Sequence, residues 1–193
     1  MMPDAVLLGG DITHQAQKGE AEAFLERCPT AGTPVFYLPG SNEGPAFDFP
    51  DGVTPVLACQ RAGLAERVWL LPAGNMAGAG AAAAVDALLA DLPGEGSALV
   101  FAHFPPELAG DERLHALENA PAAIHWVCGQ RHQPGATTRG SLHVTLCAGL
   151  DPVTARDGSP DLLVIDWDGE GQPRLQRLTV PEKFLNPPAA KKP

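Results

Sequence analysis

Basic residues are scarce in this 193-residue chain: 13 lysines and arginines stand against 23 aspartates and glutamates, a net charge of −10. So acidic a surface repels duplex nucleic acid and anionic membranes, and neither is expected as a partner. A small phosphorylated molecule is not excluded, because a bound divalent cation reverses the local field. Paired cysteines are missing as well. Cys28, Cys59, Cys128 and Cys147 lie far apart with no C-x-x-C spacing. That argues against a thiolate metal site and for reduced thiols in a cytoplasmic protein. No apolar run reaches the roughly 18 residues of a membrane span, since Asp86 interrupts the alanine-rich stretch. The opening MMPDAVLLGGD carries no basic region and does not read as a signal peptide. Two catalytic signatures are absent too. Ser41 lies in Gly-Ser-Asn-Glu-Gly, which is not a G-x-S-x-G elbow. The glycines between Gly74 and Gly80 lack a Walker lysine and the G-x-G-x-x-G spacing, so that stretch is expected to be a loop.

What is present is an alternation of short apolar runs and helical patterns. The length suits one domain, expected over residues 1–180, with a frayed tail over 181–193. Strands are expected at 4–9, 34–38, 67–72 and 97–103. One helix face is marked by Ala21, Phe24, Leu25 and Cys28, a second by Val85, Leu88, Leu89 and Leu92 within 81–92. A short helix is expected near 111–118, and 40–55 reads as loop. Four further strands follow at 124–129, 142–148, 161–167 and 173–180, the last two joined by the hairpin signal Asp168-Gly169-Glu170-Gly171. The order predicts an α/β fold, a mainly parallel sheet continued by an antiparallel layer. Ligands of such sheets bind where the C-terminal strand ends emerge.

Four of those strand ends carry polar motifs: GGDITH, PGSNEG, HFPP and GQRHQPG. At one rim they bring Asp11, Asn42, His103 and His132 within reach of a common point. Carboxylate, amide oxygen and imidazole suit Mn²⁺, Fe²⁺ or Zn²⁺.

The order Gly-Asp, Gly-Asn-His-Asp/Glu, His-x-Pro, Gly-His-x-His resembles the calcineurin-like metallophosphoesterases. The segments PDAVLLGGDIT and VFYLPGSNE lie close to that pattern. The resemblance implies a two-layer αββα sandwich whose two-metal centre hydrolyses phosphomonoesters or phosphodiesters. It implies that Asp11 bridges the metals, that His103 ligates the second and that His132 ligates the first. Ser41 occupies the place of the family's asparagine ligand, Asn42 that of its catalytic histidine, and Gln130 that of the first histidine in Gly-His-x-His. Glu43 keeps the acid that closes the second motif. The family's leading strand, ending in Asp-x-His, and its helix have no counterpart ahead of Asp11. Either a start placed too far downstream or loss of that unit is expected to account for it.

Two-metal hydrolysis requires paired cations that activate water and neutralise phosphate oxygens. With this residue set one or two weakly held ions are expected, with Ser41 and Gln130 as weak ligands. Three outcomes follow, the first two being a divergent phosphoesterase with a weakened site and a catalytically degenerate relative that binds a phosphorylated ligand or a protein. A plain α/β binding domain is the third. His14 reads as a loop residue, and His115, His125 and His143 as surface or core.

Overall fold

The segment Ser97–Ala102 is buried at every one of its 6 positions, as a strand must be when both faces of its sheet are covered. It is the sixth of the strands β1 (Val6–Leu8), β2 (Val35–Tyr37), β3 (Thr54–Pro55), β4 (Gln60–Arg61), β5 (Val68–Leu71), β6 (Ser97–Ala102), β7 (Ala123–Cys128), β8 (Gly135–Arg139), β9 (Leu142–Leu146), β10 (Asp161–Trp167) and β11 (Pro173–Thr179). The helices are α1 (Lys18–Arg27), α2 (Ala79–Asp91) and α3 (Asp111–Glu118), with a short 3-10 turn at Pro106–Ala109. The computed structural model describes residues 3–27, 32–43, 46–61, 67–72, 79–130, 134–147, 161–168 and 172–179. The protein is mixed α/β with mainly parallel sheets. No helix among the described residues is long and apolar enough to cross a membrane.

The six-stranded sheet has the order β4-β5-β6-β7-β9-β8. Strands β5, β6, β7 and β9 run parallel, with β4 and β8 as antiparallel edges. In α2, Ala81, Ala84, Val85 and Leu88 recur at helical spacing and are buried. Together with Leu117 of α3 they pack on Trp69, Val100, Trp126 and Val144, one face of this sheet. The opposite face, carrying Leu70, Leu99, Phe101 and Val127, meets two further sheets. One is the parallel three-stranded sheet β1-β2-β3, the other the antiparallel hairpin β10-β11.

Side chains of β1 and β2 alternate as strand geometry demands. Leu7 and Phe36 pack toward the six-stranded sheet. Leu8, Val35 and Tyr37 pack the other way, on Ala21, Phe24 and Leu25 of α1. Side-chain hydrogen bonds fasten the hairpin to the six-stranded sheet. The Ser97 hydroxyl bonds Gln172 Oε1, and Arg177 Nη2 donates to Leu146 O at 2.7 Å.

Three features differ from the expectations. Part of the expected loop 40–55 is β3, paired through Phe36↔Thr54 and Tyr37↔Pro55. Strands β3, β4 and β8 are short or polar edges, so no apolar alternation announces them; their partners' backbones define them. The run Leu142–Leu146, expected in an antiparallel layer, continues the parallel sheet through Ile124↔Leu142, with β8 folded back beside it. Cys28, residues 74–78, the hairpin tip 169–171 and the tail 181–193 lie outside the described residues.

Candidate metal centre

Parallel β1 and β2 release their C-terminal ends beside those of β6 and β7, because the two sheets pack face to face. Asp11 follows β1, Ser41 and Asn42 follow β2, His103 follows β6 and Gln130 follows β7. The expectation of one sheet rim is thus corrected: the strand ends come from two sheets, since among the described residues β1 and β2 belong to the sheet β1-β2-β3, and β6 and β7 to the six-stranded one. The exits still touch. His103 Nδ1 bonds Gly9 O at 2.6 Å, and Gln130 N–H donates to His103 O at 3.1 Å.

Close approach of the loops depends on two glycines. Gly10 has φ +84°, and a Cβ there would stand 2.9 Å from His103 Nδ1 and 2.7 Å from Gly40 Cα. A Cβ on Gly40 would overlap Asp11 and lie 2.8 Å from its Cγ. Asp11 itself is left-handed at φ +53°, a conformation that L side chains adopt at a cost of about 1–3 kcal/mol. The surrounding contacts must hold it there.

The Asp11 carboxylate gathers three neighbours. Asn42 N–H donates to Oδ1 at 2.8 Å, and the Ser41 hydroxyl reaches Oδ2 at 2.9 Å and Oδ1 at 3.2 Å. His103 Nε2 stands 3.3 Å from Oδ2. That contact is an ion pair by distance but is not aligned as a hydrogen bond, and Nε2 is buried with no other partner among the described residues. His103 is only 2% exposed, so water cannot compensate.

Because Nδ1–H faces the Gly9 carbonyl, neutral His103 would turn its Nε2 lone pair toward a carboxylate. Such a pair needs a positive charge between or beside it, either a proton or a cation. Burial alone pulls His103 down, and the adjoining Asp11 carboxylate, with the Gly9 carbonyl bonded at Nδ1, outweighs burial and raises it above its ordinary value. Burial alone raises Asp11, and His103, with the Asn42 N–H and Ser41 hydroxyl, outweighs it and holds the carboxyl at about 2.

These groups also fit a divalent cation. Two adjacent ligands on one ion, each bonded at about 2.1 Å, stand about 3.0–3.4 Å apart. The separation of His103 Nε2 from Asp11 Oδ2, 3.3 Å, falls in that range, whereas Ser41 Oγ at 2.9 Å is held by its hydrogen bond to the carboxylate. Carboxylate, imidazole and hydroxyl form a donor set for Mn²⁺, Fe²⁺ or Zn²⁺. No group of three or more His, Cys, Asp or Glu side chains gathers among the described residues, and His132 lies outside them.

The remaining candidates have other partners. Asn42 Nδ2 donates to Thr13 O at 2.9 Å, fastening one loop to the other. His14 is exposed and its N–H donates to Glu20 Oε2, in keeping with a loop residue. His125 and His143 stack at 4.9 Å as register neighbours on β7 and β9, away from the rim, and His115 lies on α3 beside Asn119.

Glu43 has a larger part than its place in the motif foretold. Its side chain is fully buried. Oε2 accepts from the N–H groups of Asp11 and Gly40, both at 2.8 Å. Oε1 accepts from Thr13 N–H, the Thr13 hydroxyl and the Tyr37 hydroxyl at 2.8, 3.0 and 3.1 Å. Burial, followed by the charge of Glu43, pushes the Tyr37 hydroxyl far up. The acid that closes the motif PGSNE, three residues after Gly40, was the sequence signal for this hub. No protein-family model matches the chain, and no curated protein matches it either.

Proposed function

We propose that the chain is a divergent calcineurin-like metallophosphoesterase that hydrolyses a small phosphorylated molecule with one weakly held divalent cation, Mn²⁺, Fe²⁺ or Zn²⁺. The observation that carries this reading is the buried His103 Nε2, turned on Asp11 at 3.3 Å and lacking a hydrogen bond. The order helix, sheet, sheet, helix supports an αββα sandwich of that family's type, since α1 and α2–α3 cover the outer faces of two packed sheets. Free thiols at Cys59 and Cys147 agree with work in the cytoplasm.

Asp11, His103 and Ser41 would hold the cation, with Gln130 after β7 as a further ligand and His132 as the one the family resemblance adds. When bound, it would supply charge for phosphate oxygens and acidify water. The chain's own contribution is to hold Asp11 and His103 rigidly and keep the imidazole dry. Asn42, in the place of the catalytic histidine, is an amide and transfers no proton. General acid assistance of about 10²–10⁴-fold is then missing. Leaving groups that depart without a proton are therefore the better substrates. In a nitrophenyl phosphate mono- and diester assay, Mn²⁺ should stimulate hydrolysis of at least one ester. Asp11→Ala and His103→Ala should each reduce that rate by at least about 100-fold. Activity indifferent to both substitutions overturns the reading.

One observation favours the second reading, a relative that binds without turnover. Both Asp11 oxygens already accept from Ser41, and Oδ1 also from Asn42 N–H, which weakens the carboxylate as a ligand. Saturable Mn²⁺ or inorganic phosphate binding with no hydrolysis of either ester would select that reading.

A further inference from the structure

We infer that Glu43 is the positioning residue of this site: its buried carboxylate ties the two loops so that Asp11 faces His103. The functional consequence rests on the proposed cation site; the geometric claim stands without it.

The argument starts from acceptor count. Glu43 takes three backbone N–H groups and two hydroxyls, from Asp11, Gly40, Thr13 and Tyr37, on two acceptor-only oxygens. Backbone donors reach both oxygens: Asp11 and Gly40 at Oε2, Thr13 at Oε1. A glutamine of the same shape would turn its NH₂ against an N–H in either flip, so no neutral isostere fits. Aspartate, one methylene shorter, would not span the same set. Two of these N–H groups belong to the residues that set the site. One is on Asp11, whose left-handed backbone at φ +53° needs an external hold. The other is on Gly40, against whose Cα face the Asp11 side chain lies.

With those two amides pinned to one oxygen, the Asp11 carboxylate emerges toward Ser41, the Asn42 N–H and His103 Nε2. Released, Asp11 would relax out of the left-handed region and carry its carboxylate away from His103. Glu43 makes no hydrogen bond to His103 among the described residues; its charge reaches the imidazole more weakly than that of Asp11, and its hold on the geometry of the pair runs through the Asp11 N–H.

A merely structural role is separable from a positioning one because Tyr37 shares the hub and bonds the Glu43 oxygen that does not hold Asp11. The Tyr37 hydroxyl donates to Oε1, whereas Asp11 N–H is held by Oε2. The test uses metal-free protein labelled with ¹⁵N-histidine, with Asp11→Asn defining the His103 spectrum of a broken pair. All spectra are recorded below each variant's melting transition. Tyr37→Phe should lower stability yet keep the wild-type His103 resonance and bind Mn²⁺ within about threefold of wild type. Glu43→Gln should shift the His103 resonance to that of Asp11→Asn and weaken Mn²⁺ binding by about 10–100-fold.

A wild-type His103 resonance in Glu43→Gln overturns the inference, as does an equal shift in Tyr37→Phe. Should Glu43→Gln not fold, hydrogen exchange in the wild-type protein decides. The amides of Asp11, Thr13 and Gly40 should exchange slowly together, and exchange as fast as an open loop overturns the claim. If wild-type protein binds no Mn²⁺, the cation reading fails on its own. The histidine spectra still settle whether Glu43 positions Asp11.

Discussion

Replacing Gly40 by alanine tests how closely the two loops must approach. The added methyl would overlap Asp11 N and Oδ1 and stand 2.8 Å from its Cγ, whereas carbon atoms in contact prefer about 3.5–4.0 Å. Relief requires one loop to move by roughly 1 Å, an overpacking strain of about 1–3 kcal/mol. The same movement pulls Asn42 N–H and the Ser41 hydroxyl from the Asp11 carboxylate. Hydrogen bonds to a charged group contribute about 1.5–3 kcal/mol each when buried, and Ser41 and Asn42 are exposed enough to recover part of that from water. The expected loss is about 3–5 kcal/mol. In a domain of this size that lowers the melting temperature by roughly 6–20 °C. Thermal melts followed by circular dichroism, backed by urea midpoints, read the change. Gly19→Ala is the control: nothing lies within 4 Å of its added carbon. It falls in the first turn of α1 and should stabilise by up to about 1 kcal/mol. If Gly40→Ala melts within about 2 °C of wild type, the loops do not meet as described and the argument for a rigid Asp11–His103 pair fails.

Two further outcomes follow from the ionisation of specific groups. In chelator-treated protein, Asp11 is held near 2 instead of 3.8, so its contribution is present above pH 3.8 and is lost as pH falls toward 2. That loss amounts to about 2 kcal/mol. His103 is raised above 6.5, so its share is complete below pH 6.5 and is lost as pH rises through the raised value. Urea midpoints between pH 2 and 9 should therefore be highest at pH 4–6.5 relative to Asp11→Asn, and a flat difference would contradict the pairing. Burial pushes the Cys147 thiol up to about 11, against a smaller pull from Arg177. At pH 8 its alkylation by iodoacetamide should be at least about 100-fold slower than that of an ordinary thiol. Peptide mapping by mass spectrometry checks this, and rapid labelling of native protein would show the site to be open.

The strands that carry the core were legible in the sequence because burial writes itself into local pattern. The run 98–102 is apolar throughout, α2 repeats its buried positions every third and fourth residue, and β10-β11 is announced by turn residues between two strand-like runs. That Asp11 and His103 lie at strand ends was legible for a similar reason: each comes within three residues of the last residue of a parallel strand, β1 or β6. Only the tertiary structure decided the rest. Strands β3, β4 and β8 exist through their neighbours' backbones, and the parallel course of β9 depends on a partner strand across the sheet. That the rim is shared by two sheets follows from face-to-face packing, which no single segment encodes. The left-handed Asp11 and the hub at Glu43 depend on donors roughly thirty residues distant in the chain, Thr13 lying 30 and Asp11 32 positions away. A carboxylate's acceptor geometry becomes a structural fact only when folding delivers those amides to it.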